Sequence, residues 1–243
     1  LKQIQIPTSV SKIGPSVFKG CINIKQIDIP SSVTEIGEKS FLNCENLIEI
    51  SLPSSIKSIE KNLFQGCKSL KKIEIPSSVT KIGKNSFLCC SSLSSILIPS
   101  SVTSIADYAF GGCSSLEKIQ ILSSLETISY GLFERCSSLI EIEIPISVTT
   151  IETCAFEDCT SLKRIKIPSS VQVIEDHAFN NCSSLIEIEI PSSMTMISCY
   201  TFMNCTALKK VDLPDSIISI GWLAFNGCSS LSQFEIPSFV NFI

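Results

Sequence analysis

The stretch Cys67-Lys68-Ser69-Leu70-Lys71-Lys72-Ile73-Glu74-Ile75-Pro76-Ser77-Ser78-Val79-Thr80-Lys81-Ile82-Gly83-Lys84-Asn85-Ser86-Phe87-Leu88-Cys89 is followed, from Cys90, by a second copy of its own pattern. A fixed period of this length marks an array of stacked units rather than a single globular core. Working outward in both directions, proline falls on a 23-residue grid from Pro7 to Pro237, broken once where Leu122 takes the slot. Phenylalanine keeps the same step from Phe18 to Phe225, and each grid phenylalanine precedes a cysteine by three residues, Cys21 through Cys228. Ten in-register copies carry no insertion or deletion.

Each column has a physical reading. After Leu70, Ile73 and Ile75 share one face and Lys72 and Glu74 the other, the alternation of a half-buried strand. Copies of that strand stack into a parallel sheet. Pro76 ends the strand because it has no N–H. Ser78 belongs to a column that is serine from Ser9 to Ser216, where a hydroxyl is expected to bond a backbone group of the turn. Val79 and Ile82 return two β-branched residues to the core on a second short extended segment. Ser86, Phe87 and Cys90 then fill the last corner, on a turn or a single helical turn. Stability is expected to come from packing and ladder bonds between neighbours, because one coil cannot cover both of its open faces.

The consensus C-x-x-L-x-x-I-x-I-P-x-S-V-x-x-I-x-x-x-A-F-x-x resembles a leucine-rich repeat, its L-x-x-I-x-I core being similar to the repeat strand. The I-P-S-S-V-T-x-I-G and A-F-x-x-C flanks are similar to those of the BspA-like subclass. The resemblance covers the whole chain and implies a leucine-rich-repeat solenoid, mostly β with little helix. The expected organisation is one continuous array over 1–243 of about ten and a half repeats, cut through a repeat at both ends. It implies a protein-binding module for surface adhesion, or for recognition of a host or matrix protein, at the cell surface or outside the cell. The alternative is an intracellular structural scaffold, cytoplasmic or cytoskeletal, assembled through the repeat surface.

Composition narrows the partners. Hydrophobic residues make up 44% and charged residues 17% of the chain, which excludes a disordered tail. A net charge of −4 with signs mixed along the length leaves no basic stripe for nucleic acid. The chain has no apolar run of about 18 residues, so no membrane insertion is expected of this segment, and Leu1 to Val10 lack the layout of a secretory signal. Ten cysteines in one column read as a stack of small buried hydrophobes; zinc would call for close cysteine pairs or neighbouring histidines, and the one histidine is His177. Cys89, Cys154 and Cys199 lie off the column and are expected to be free and within reach of solvent. His177 is expected on the surface, far from any nucleophile, so the repeat presents no catalytic set. Nothing in the pattern calls for a cofactor.

Two groups of outward residues are the candidate contacts. Lys118, Glu141, Arg164, Glu187 and Lys210 occupy one strand column and alternate in sign, flanked by Glu143, Lys166 and Glu189. Opposite charges one coil apart are expected to pair and keep the face soluble; the same face is the candidate ligand surface. Tyr108, Tyr130, Tyr200 and Trp222 precede the phenylalanine column and are candidate aromatic contacts. Ile48, Ile140 and Ile186, and the column of Val173, Met196 and Phe242, are further outward apolar residues.

Overall fold

Short strands alternate with turns at the 23-residue step, and the register is that of the repeat. In the computed structural model, which describes residues 3–243, the chain divides into two compact units, Leu1–Ser123 and Ser124–Ile243. In the first, strands Gln3–Gln5, Gln26–Asp28 and Glu49–Ser51 pair in parallel, as do Ser95–Ile98 and Lys118–Ile121. In the second, Glu141–Glu143 pairs with Arg164–Lys166, and Glu187–Glu189 with Lys210–Asp212 and then Gln233–Phe234. Every partner lies one repeat away, as with Ile142 and Ile165. A second series of two-residue strands, such as Lys81–Ile82 beside Ser104–Ile105, forms the return segment. No helix occurs among the described residues. The corner is built from turns alone.

The columns do what their chemistry requires. The carbonyl of Pro76 accepts from the Val79 N–H at 3.0 Å, closing a turn on the proline; before it this coil keeps only a bridge between Lys72 and Glu49 in place of the expected strand. The Ser78 hydroxyl donates to the Ile56 carbonyl of the preceding coil at 2.7 Å, and Ser170 does the same to Val148. The Phe64 and Phe87 rings stack at 5.4 Å, as Phe156 and Phe179 do at 5.3 Å in the second unit. The Cys67 thiol donates to the Phe41 carbonyl at 3.2 Å and the Cys182 thiol to Phe156 at 3.2 Å. Burial holds both thiols neutral, above the ordinary cysteine range. Where Leu122 replaces proline, its N–H donates to Ile98 at 3.0 Å and the strand is four residues long. The boundary between the units falls within this coil, just after Leu122.

The corner also contains a device that the repeat pattern hides. The N–H groups of Cys154, Phe156 and Asp158 donate to the next coil, at Asp176, Ala178 and Asn180, while Ala155, Glu157 and Cys159 bond within their own turn. This alternation puts Cys154 and Asp158 in the left-handed region, with φ of 58° and 59°. The same two columns are left-handed in the other coils, from Ser16 and Gly20 to Leu223 and Gly227. Glycine and asparagine tolerate that conformation best, which explains Gly20, Asn43, Gly66, Gly112, Asn181 and Asn204. It also means that His177 and Tyr200, at φ of 58° and 59°, project from a fixed and unusual backbone.

Candidate functional site

The strand face of Ser124–Ile243 is built by the alternation of Glu141–Glu143, Arg164–Lys166, Glu187–Glu189 and Lys210–Asp212, each with its middle residue buried and its outer two exposed. Ile142, Ile165, Ile188 and Val211 face the core. The register sets Glu141 beside Arg164, Glu143 beside Lys166, and Glu187 beside Lys210. Arg164, Lys166, Glu187, Glu189, Lys210 and Asp212 line one open groove of about 810 Å³, whose far rim is formed by Pro168, Pro191 and Pro214.

Within this groove the charges are in register without being paired across coils. The ion pair of the face is Lys210 with Asp212, 2.7 Å apart on a single strand. That hydrogen bond holds the Lys210 ammonium above the ordinary lysine range, with Glu187 and Glu189 adding to the effect. Arg164 and Lys166 make no ion pair among the described residues. The cross-coil salt-bridge ladder expected from the alternating signs is therefore not what the face contains. Solvated pairs gain only about 0 to 1 kcal/mol, so register alone does not decide whether one forms: Lys12 and Glu35, register partners on the return segment, do bond at 2.7 Å. The groove offers an open guanidinium and an open ammonium beside the acidic row of Glu187 and Glu189.

Lys118 and Tyr108 lie in the other unit, Leu1–Ser123, Lys118 on the outer face of strand Lys118–Ile121 and Tyr108 half-buried in its corner. The strand face there is less charged. Gln26 bonds Glu49 at 3.1 Å, and Ser95 and Leu97 take the slots that are charged in the second unit.

Tyr130, Tyr200 and Trp222 lie on the corner edge of Ser124–Ile243. His177, expected on the surface, is half-buried and stacked on Tyr200 at 4.4 Å, and Trp222 meets Tyr200 edge-on at 5.5 Å. Around them stand residues the sequence reading passed over. Glu175 accepts from the Thr153 N–H at 3.0 Å and its hydroxyl at 2.9 Å, and Asp176 from the Cys199 N–H at 2.9 Å. Asn180 donates to Glu157 at 2.8 Å, and Asn181 to Asp158 at 2.8 Å. Cys154, half-buried among Tyr130, Glu157 and Glu134, is pushed up to about 12 by desolvation first and then by the hydrogen bond and charge of Glu157. The signal available in the sequence was the carboxylates on either side of Phe156 and those before Phe179. Cys89 is exposed and Cys199 half-buried. No group of three or more cysteine, histidine or acidic residues able to hold a metal occurs among the described residues.

A family profile described as the BspA type leucine rich repeat region matches in six copies, over residues 1–110, 80–209 and 126–243. A leucine-rich repeat protein from Bacteroides ovatus is 30% identical with a TM-score of 0.77, over 98% of this chain and 76% of that one. A leucine rich cell surface protein from Faecalibacterium prausnitzii is 31% identical with a TM-score of 0.67, over 96% of this chain and 73% of that one. The pneumococcal vaccine antigen PcpA is 25% identical with a TM-score of 0.67, over 95% and 70% of the respective chains. No curated protein matches the chain.

Proposed function

The chain belongs to the BspA-type leucine-rich repeat family, and on that footing we propose that the strand face of Ser124–Ile243 docks a protein ligand, as a surface-adhesion or host- and matrix-recognition module. The observation that carries the reading is that Arg164 and Lys166 form no ion pair among the described residues although they line a groove with Glu187 and Glu189 on one side and have Glu141 and Glu143 as register partners on the other. A protein surface with complementary charges gains both orientation and association rate on such a face, and the parallel sheet holds the rows about 4.8 Å apart on a rigid support. Surface display is supported by similarity to a protein described as a cell surface protein and to a vaccine antigen.

The test combines two readouts. A decellularised extracellular-matrix coat should retain the chain, and reversing Glu141, Glu187 and Glu189 to lysine together should reduce retention at least ten-fold without moving the melting temperature. Unchanged retention would count against the strand face. Intact source cells treated with a membrane-impermeant biotin reagent should label the chain. Protection until lysis would favour the intracellular scaffold, the reading favoured by the absence of any disulfide among the described cysteines.

A further inference from the structure

We propose that the corner edge of Ser124–Ile243, running from Tyr130 to Trp222, binds a lysine- or arginine-rich peptide segment of a partner protein. It is a second surface, independent of the strand-face groove. Its corners at 129–135, 152–158 and 175–181 contain Glu134, Glu152, Glu157, Asp158, Glu175 and Asp176 against a single cation, Arg135. Arg135 stands 3.5 Å from both Glu134 and Asp158; Glu157, Glu175 and Asp176 form no ion pair among the described residues. These carboxylates are held in place by bonds from backbone and amide N–H groups, which fix their positions without cancelling their charge.

Hydrogen bonding distinguishes a cationic ligand from a neutral one. The amide donors of the edge are already engaged: Asn180 with Glu157 at 2.8 Å, Asn181 with Asp158 at 2.8 Å, and Asn204 with Asn181 at 2.9 Å. Around these amides what remains is acceptor, the carboxylate oxygens and the Asn180 Oδ1. Asn180 is only 7% exposed and its Oδ1 has no partner. Turning the amide over would set that oxygen against the Glu157 carboxylate, so the orientation is fixed and the deficiency is one of donors. His177 lies beside the same amide, its Nδ1 3.4 Å from Nδ2. An ammonium or guanidinium supplies donors and no acceptor. A sugar hydroxyl would need both.

The aromatic end of the edge has the same preference. The His177, Tyr200 and Trp222 rings form a continuous group at 4.4 and 5.5 Å, with Trp222 66% exposed. Ring faces attract Lys and Arg cations, tryptophan most strongly. At about 4.8 Å per coil the five corners span roughly 20 Å, the length of about six extended residues. The Cys154 and Glu134 pKa values are both raised, by burial first; Glu157 adds at Cys154, and at Glu134 the lowering by Arg135 is opposed by Glu157 and Asp158.

Trp222 is the chain's one tryptophan, so its fluorescence reports on the site directly. Titration with hexa-arginine should give a saturable change in Trp222 emission, whereas hexa-glutamate and a neutral chito-oligosaccharide should give none. The paired substitution His177→Asn and Tyr200→Asn removes the rings while keeping a residue that the repeat itself uses in this left-handed column, at Asn62 and Asn85. It should weaken hexa-arginine binding at least ten-fold, followed by calorimetry, with an unchanged far-ultraviolet circular dichroism spectrum. Glu157→Gln should weaken it several-fold with the rings intact. The proposal is overturned by a silent Trp222 under hexa-arginine, by an affinity in both variants equal to that of the unsubstituted chain, or by a response to the saccharide alone.

Discussion

Leu1–Ser123 and Ser124–Ile243 are built from one repeat, share their inward columns, and differ in what their outward columns do with charge. Ring stacking is the same in both, 5.4 Å for Phe41-side neighbours Phe18 and Phe41 and 5.4 Å for Phe202 and Phe225. In the first unit three lysines away from the strand face pair across one repeat, Lys12 with Glu35 at 2.7 Å, Lys68 with Glu45 at 2.9 Å, and Lys84 with Asp107 at 3.0 Å, while the strand-face Lys72 and Lys118 make no ion pair among the described residues. In the second, the strand-face cations Arg164 and Lys166 are left open, and carboxylates such as Glu175 turn onto backbone N–H groups. The difference teaches that a solenoid separates two tasks. Its inward columns are constrained by neighbours above and below, and its outward ones are free to diverge coil by coil.

The largest test of that separation is a core substitution made once in each unit. Phe87→Ala and Phe179→Ala should each cost about 3 to 5 kcal/mol, because both rings are fully buried between stacked neighbours. Hydrogen exchange read separately on the residues of each unit should show equal losses. A gap of more than 2 kcal/mol between them would break the equivalence of the two cores.

A smaller effect belongs to the left-handed column before the cysteines. Gly66 has φ of 73°, and a Cβ there would lie 2.3 Å from the Asn43 Oδ1. Gly66→Ala should cost about 1 to 2 kcal/mol. Arg135 occupies the same column with φ of 59°, and Arg135→Gly should change stability by less than about 0.5 kcal/mol, since relief of the backbone offsets the glycine's greater freedom when unfolded. Denaturant melts of the two variants check the contrast; equal losses would show that the column is not conformationally constrained.

This column also marks where the sequence ceases to be readable. The inward burial of Leu70, Ile73 and Ile75 follows directly from their spacing, although in that coil the strand itself shrinks to a single bridge between Lys72 and Glu49; the stacking register follows from the unbroken 23-residue step. The outward placement of Glu141, Arg164, Glu187 and Lys210 follows from the same alternation. Their pairing does not, since it depends on how far solvated side chains reach, and opposite signs in register did not produce cross-coil bonds. The left-handed corner was obscured for another reason: glycine and asparagine announce it at Gly66 and Asn85, but Tyr108, Cys154, His177 and Tyr200 occupy the same column as that asparagine and disguise it. The packing of His177 on Tyr200, and the carboxylates around them, becomes visible only once that backbone is known.

The smallest expected effect separates charge that supports the fold from charge left open to a partner. Lys84 is within 3.0 Å of Asp107, one coil away, with both side chains about half exposed. Lys84→Met should therefore lower stability by a few tenths of a kcal/mol, an amount screened away at high salt. Arg164 has no such pair, and Arg164→Met should leave stability unchanged while reducing matrix retention. The two substitutions remove the same charge and differ only in what that charge was holding. Denaturant melts at low and high salt read the first effect, and the retention assay reads the second. A salt-sensitive stability loss from Arg164→Met would mean that its guanidinium pairs within the chain in solution, as Lys12, Lys68 and Lys84 do, and is not left open to a partner.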